Sequence, residues 1–93
     1  MEARKEFPMR DDRTAWRVID GEAVILSIED KFIRSLNPVG TRVWELLDGT
    51  KTVDDIAEIV SSEFEVGTNQ ARQDILDFIE ELAQKKIISM NVT

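Results

Sequence analysis

The 93-residue sequence contains no cysteine and no histidine. Without cysteine the chain has no disulfide, no thiolate nucleophile and no cysteine-ligated metal site. Without histidine it lacks the usual general base and the usual metal ligand, and its serines have no histidine to activate them. The four glycines never take the spacing of a phosphate-binding loop. We therefore expect a protein that is not an enzyme and that holds no metal or cofactor.

Long apolar runs are also missing. No stretch approaches the ~20 residues of a membrane span, so we expect no membrane partner. The N-terminal segment MEARKEFPMRDD lacks the apolar core of a signal peptide. A cytoplasmic location is the expectation, and a chain of this length is expected to form a single domain.

Positive charge is scarce, since the net charge is −7 and the pI is near 4.5. Residues 1–20 are neutral, whereas residues 51–93 hold four basic and nine acidic side chains. A nucleic-acid-binding domain normally shows a concentrated basic face and a pI above about 9. The sequence thus predicts a neutral or basic partner and no nucleic acid.

Three short strands are predicted between residues 16 and 36. WRVI at 16–19 precedes Asp20-Gly21, a strong hairpin signal. EAVILSI at 22–28 follows, with Val24 and Leu26 on one face, and FIRSL at 32–36 forms the third strand. The connections are too short for a parallel crossover, so the strands form an antiparallel meander.

Three helices follow the strands. Asn37 is a suitable N-cap, Pro38 suits the first helical position, and Gly49 is the expected left-handed C-cap. A second helix opens at the capping-box sequence from Thr52, and a third runs from an N-cap at Thr68 to about residue 85. The order βββααα predicts an α+β domain of winged-helix type, a three-stranded antiparallel meander followed by a three-helix bundle. Residues 1–12 are expected to form a flexible N-terminal arm, residues 13–89 the domain, and residues 90–93 a frayed tail.

The third predicted strand ends the meander and therefore exposes one edge with unpaired amides and carbonyls. Arg34 interrupts an otherwise apolar face of this strand, so that either a bulge intervenes or Arg34 reaches the rim. The third helix has a complete apolar stripe, and Leu76 and Ala83 widen it to one side. A wider apolar arc indicates either a deeper core or the wall of a groove. Acidic residues on the same helix, such as Asp74 and Asp77, are expected to form a solvated face.

The residues also identify a family. The sequence LNPVGTRVWELLDG at 36–49, the following TVDDI and the ending DILDFIEELAQKKII resemble the PqqD-like family, over residues 16–88. Members are small proteins or domains that recognise the precursor peptides of ribosomally made, modified natural products. The resemblance implies a non-catalytic adaptor that captures the leader of a precursor peptide by adding it as a strand to residues 31–36, against the third helix. The adaptor would then present the leader to a radical-SAM or other peptide-modifying enzyme, as in pyrroloquinoline quinone biosynthesis.

Ten peptide-binding residues follow from this resemblance when the strand and the third helix are taken as the two walls. They are Lys31, Phe32, Ile33, Arg34, Ser35, Leu36, Arg72, Leu76, Ile79 and Ala83.

Two other interpretations remain open at this stage. The element order alone also fits an acidic winged-helix protein associated with nucleic acid, and the exposed strand edge fits a homodimer joined edge to edge. We expect a monomer or a weak homodimer.

Overall fold

The computed structural model describes residues 5–27 and 31–92, with the side chain of Val92 excepted. The end of the second predicted strand, Ile28, and the connection to the third at residues 29–30 lie outside the described residues. The elements, in chain order, are strands β1 (Glu6–Arg10), β2 (Ala15–Ile19), β3 (Glu22–Ser27) and β4 (Phe32–Ser35), helices α1 (Pro38–Leu46), α2 (Val53–Phe64) and α3 (Thr68–Gln84), and strand β5 (Ile88–Val92).

The order of three strands and three helices is confirmed. Strands β2, β3 and β4 form an antiparallel sheet in that order, and the three helices follow it along the chain. The face of β3 that packs against the helices carries Ala23, Ile25 and Ser27, all buried. Val24 and Leu26 lie on the opposite, outer face of the sheet. Because β3 has apolar residues on both faces, its own sequence does not decide which face is buried. Packing against the neighbouring elements decides it.

Helix α1 joins the sheet to the rest of the core. Asn37 caps it as predicted, since its side chain accepts a hydrogen bond from the Gly40 amide at 2.7 Å. The Thr41 hydroxyl accepts one from the Ala23 amide at 2.8 Å and so ties α1 to β3. Trp44 is fully buried, as its place beside the apolar stripe of the helix predicted.

The end of α1 differs from the prediction. The helix stops at Leu46 with Leu47 as its C-cap, whereas Gly49 lies beyond the cap with a φ of +81°. A Cβ on Gly49 would lie 3.3 Å from the Cβ of Met9. Glycine is therefore needed here both for its left-handed conformation and for the close approach of β1.

Helices α2 and α3 pack on each other and complete the core. The predicted capping box of α2 forms between Thr52 and Asp55. Helix α3 begins one residue earlier than expected, because Gly67 and not Thr68 is its N-cap. The buried residues of the two helices are Ile56, Ala57, Val60, Ala71, Ile75, Ile79 and Leu82. Val53, Phe64 and Phe78, on the same apolar stripes, are partly buried.

The two ends of the chain form a second sheet, which corrects the expectation of a flexible arm and a frayed tail. Strand β1 pairs antiparallel with β5, from Glu6 opposite Val92 to Arg10 opposite Ile88. Pro8 is compatible with this pairing because its backbone faces the other way, where its carbonyl accepts a hydrogen bond from the Gly49 amide at 3.1 Å.

Arg10 at the end of β1 packs on both tryptophans. Its guanidinium lies 5.1 Å from the ring centroid of Trp16 and donates to the carbonyls of Trp44 and Glu45 at 2.7 and 2.9 Å. The two indoles meet edge to face at 6.0 Å. Trp16 therefore packs beside the N-terminal segment.

Candidate functional site

The free edge of β4 is the first part of the site. Leu36 donates its amide to the Ala23 carbonyl at 2.8 Å, and the pairing from Val24 opposite Ser35 to Ser27 opposite Phe32 is regular. Backbone groups of an antiparallel strand point alternately to its two sides. Phe32 and Arg34 therefore direct their backbone groups to β3, whereas Ile33 and Ser35 direct theirs to the free edge.

A groove of about 420 Å³ lies next to this edge. Its walls come from the end of β4, the start of α1 and one flank of α3. The lining is largely apolar and includes two charged side chains, those of Arg34 and Asp74. The lining residues are Arg34, Ser35, Leu36, Asn37, Val39, Gly40, Val43, Asp74, Ile75 and Phe78.

Arg34 spans the space between β4 and α3. No bulge intervenes, since Arg34 pairs directly with Ile25 in the regular register. Its side chain leaves the inner face of the sheet and reaches the rim of the groove. There the guanidinium lies 5.3 Å from the ring centroid of Phe78 and forms an ion pair with Glu81.

The other predicted strand residues take different positions. Lys31 is exposed, with a φ of +52°. The Ile33 side chain is 71% exposed on the outer face of the sheet, and Ser35 is exposed at the groove. Phe32 packs against the core and Leu36 is buried. A bound peptide could therefore hydrogen-bond to the backbones of Ile33 and Ser35 and contact the side chain of Arg34.

The predicted residues of α3 lie away from the groove. Arg72 and Leu76 line a smaller pocket on the side of α2, where Arg72 donates to the Asp54 carboxylate at 2.6 Å. Ile79 is buried in the core and Ala83 is exposed. Leu76 and Phe78 are two residues apart and are therefore turned by about 200° around the helix axis.

Sequence reasoning missed the flank of α3 that faces β4. Asp74 and Phe78 stand one helical turn apart on that flank, and Glu81 follows in the next turn. The spacing i, i+4 and i+7 was visible in the sequence. Asp74 is expected from the sequence on a solvated face, whereas the structure places it at the groove with Phe78. Asp74 accepts a hydrogen bond from the Gln70 amide at 2.8 Å.

Two other kinds of site are absent from the described part of the chain. Residues 5–27 and 31–92 contain no group of three or more acidic side chains placed to hold a metal ion. None of the helices formed by these residues is long and apolar enough to cross a membrane.

Two solved structures, each more than 25% identical to this chain, share the fold. One is TbiB1 in complex with the TbiA(beta) leader peptide, with 28% identity, a TM-score of 0.78, and 87% of this chain and 94% of that chain covered. The other is the solution structure of the PqqD truncation of Methylobacterium extorquens PqqCD, described as a functional and stand-alone recognition element for ribosomally synthesized, post-translationally modified peptides. It is 26% identical, with a TM-score of 0.73 and coverage of 88% of this chain and 87% of that chain.

A third solved structure supports the fold alone. Lasso peptide synthetase B1 complexed with the leader peptide is 19% identical, with a TM-score of 0.78 and coverage of 89% of this chain and 98% of that chain. No curated protein matches the chain. The family model described as coenzyme PQQ synthesis protein D (PqqD) matches residues 22–88. Because this match covers most of the sequence, from β3 to the start of β5, the chain belongs to the PqqD family.

Proposed function

We propose that this protein is a non-catalytic adaptor that binds the leader of a ribosomally made precursor peptide. The leader adds as a fourth strand to β4 and lies against α3. One observation carries the proposal: the free edge of β4 runs directly beside an open, largely apolar groove of about 420 Å³. Main-chain hydrogen bonds at an edge and side-chain pockets beside it are the two requirements of β-strand addition.

The two parts of the site make different contributions. A strand added along β4 forms about three or four backbone hydrogen bonds, each worth ~0.5–1.5 kcal/mol net. Micromolar affinity needs ~8 kcal/mol, and ordering the peptide costs more. Apolar side chains of the leader must therefore enter the groove between Leu36, Val43 and Ile75 to supply the remainder.

The relatives support this function. TbiB1, at 28% identity, is described in complex with a leader peptide. The PqqD part of PqqCD, at 26% identity, is described as a stand-alone recognition element for modified peptides. An adaptor of this kind acts with a separate enzyme, and a radical-SAM or other peptide-modifying enzyme remains our prediction for that partner. A cytoplasmic location and a monomeric or weakly dimeric state also remain predictions.

The first test is an amide NMR titration of the full chain with the synthetic leader of a precursor peptide encoded beside its gene. We expect chemical-shift changes along residues 32–40 and 74–81. Changes confined to Arg72, Leu76 and Ala83 would move the peptide to the other flank of α3. No change with any neighbouring precursor would contradict the proposed function.

A matched pair of proline variants tests strand addition directly. Ile33→Pro removes an amide that faces the free edge of β4, so we expect leader binding to fall at least tenfold. Val18→Pro is the control, because the register places the Val18 amide on the free edge of β2 at the other side of the sheet. Both prolines spare the bonds to β3. Equal loss of binding in the two variants would contradict addition at β4.

A further inference from the structure

We propose that Arg34 determines peptide specificity, by pairing with a carboxylate side chain of the bound leader, and that Glu81 holds this place in the free protein. The inference rests on the proposed function and names one feature of the leader. Among the described residues that line the groove, Arg34 is the one whose side chain reaches from β4 across to α3.

The register separates Arg34 from the residues that hold the peptide backbone. The backbone amide and carbonyl of Arg34 face β3. Those of Ile33 and Ser35 face the opposite side, where they can hydrogen-bond to the added strand. The leader residue opposite Arg34 in an antiparallel pairing would share no backbone hydrogen bond with it. Residue pairs of this kind are the closest in an antiparallel sheet, with Cα atoms about 4.5 Å apart. One leader residue therefore lies directly beside the Arg34 side chain, on the face that looks into the groove.

The guanidinium is held ready for a carboxylate. Its central carbon lies 5.3 Å from the Phe78 ring centroid. The edge of the guanidinium carries five N–H donors, which can bind a carboxylate lying in the same plane. Glu81 occupies part of that edge. The side chains of Arg34 and Glu81 are 31% and 45% exposed, and ion pairs this open stabilise a protein little. A leader carboxylate can therefore replace Glu81, which then returns to solvent.

The charges around the groove predict a different preference from the one that the net charge of the chain would give. Among the described residues that line it, Arg34 is the only cation and Asp74 the only anion. The chain as a whole carries −7 and favours a basic peptide. A preference for an acidic residue at one leader position would oppose this field, and its source would be Arg34.

The test uses a display library of random twelve-residue peptides, selected on the full chain. We expect retained peptides to share one acidic position close to their apolar residues. A selected peptide with Glu at that position should bind about fivefold more tightly than its Gln counterpart, as expected for an opposite-charge cross-strand pair. Arg34→Gln should remove this difference. Arg72→Gln is the matched control, since its ion pair with Asp54 lies on the other flank of the same helix, and it should keep the difference.

The double variant Arg34→Glu with Glu81→Arg separates specificity from folding, because it retains an ion pair between β4 and α3. We expect its selected peptides to prefer Lys or Arg at the same position. A preserved acidic preference in this variant or in Arg34→Gln would overturn the inference, as would selection by the native chain without any acidic position. In both cases peptide binding itself would stand. Retention of no peptide by the native chain would instead contradict the proposed function.

Discussion

Strands β1 and β4 are similar in length, but they differ in whether one or both of their edges are hydrogen-bonded. Strand β1 is bonded on both sides, to β5 and to the segment after α1, where the Arg10 amide donates to the Leu47 carbonyl at 2.9 Å. Met9 also forms a bridge with Asp48. Among the residues that the structure describes, strand β4 is hydrogen-bonded to β3 alone and has an open groove on its other side.

This difference separates a strand that stabilises from a strand that binds. An unpaired edge attracts other strands, and proteins usually cover it or shorten it. Here β1 is covered by the protein's own backbone. Because β4 is left open beside an apolar groove, we expect substitutions in β1 and β5 to lower stability and those in β4 to lower peptide affinity.

The largest expected effect compares two isoleucines. Ile88→Ala in β5 empties a buried position opposite Arg10 and should cost about 2–5 kcal/mol of unfolding free energy. Ile33→Ala in β4 is the control, since an exposed side chain should change stability by at most about 0.5 kcal/mol. Urea unfolding followed by tryptophan fluorescence measures both. Equal losses would remove the distinction between the two strands.

Arg10→Ala should have the next largest effect. It removes two hydrogen bonds to the last carbonyls of α1 and the packing on Trp16. We expect a loss of about 1–3 kcal/mol, typical of hydrogen bonds from a charged group. Arg17→Ala on the outer face of β2 is the control and should leave the unfolding midpoint nearly unchanged. A stable Arg10→Ala variant would show that the backbone hydrogen bonds of β1 hold it in place without this side chain.

Asn37→Ala tests the junction between β4 and α1. Loss of the hydrogen bond from the Gly40 amide should cost about 1 kcal/mol, whereas Asn37→Ser keeps an acceptor and should cost little. Thermal unfolding compares the two. If the cap also fixes the wall of the groove, leader affinity should fall in the alanine variant and not in the serine variant.

The smallest effect concerns pH and the covered side of β1. Hydrogen bonds from Thr50 and from Lys51 lower the pKa of Asp48 to about 2 from 3.8. A carboxylate with a lowered pKa stabilises the folded state above its unfolded value, and that contribution disappears as pH falls through the folded value. The stability gap between the native protein and Asp48→Asn should therefore be constant above pH ~5 and close between about pH 4 and 2.

A second variant checks the cause of this shift. Thr50→Val removes the hydroxyl that contributes most to the lowered pKa of Asp48. The acid-induced decline should then be smaller and end at a higher pH, because its onset is set by the pKa of the unfolded state and its end by the pKa of the folded state. Chemical denaturation at each pH measures this profile. An unchanged profile would assign the stabilisation to Lys51 and to the backbone amide of residue 50.

Much of the fold was accessible from short-range patterns. The Asp20-Gly21 hairpin, the Asn37 cap and the Thr52 capping box each depend on residues within a few positions of one another. Local turn and cap chemistry acts in this way without the rest of the chain. The pairing of β1 with β5 was not accessible, because it joins residues about 80 positions apart and each strand has only five residues.

The candidate site was accessible only in part. The free edge of β4 followed from a meander that ends there, and the use of α3 as the second wall came with the family resemblance. The flank of α3 that faces β4 did not follow. The sequence indicated a wider apolar arc on the side of Leu76, and that side of α3 faces α2. The groove is instead lined by Phe78 and Arg34, and Arg34 forms an ion pair with Glu81.

The sequence by itself determined the order of the elements, the N-caps of α1 and α2, the buried stripes of the helices and the exposed edge of the meander. These features depend on periodicity and local hydrogen bonding, which any short segment carries within itself. Tertiary structure alone decided which face of β3 is buried, how the chain ends are paired and which flank of α3 forms the groove. Each of these depends on the rotation of one element against another, and that rotation is set by packing of the whole core.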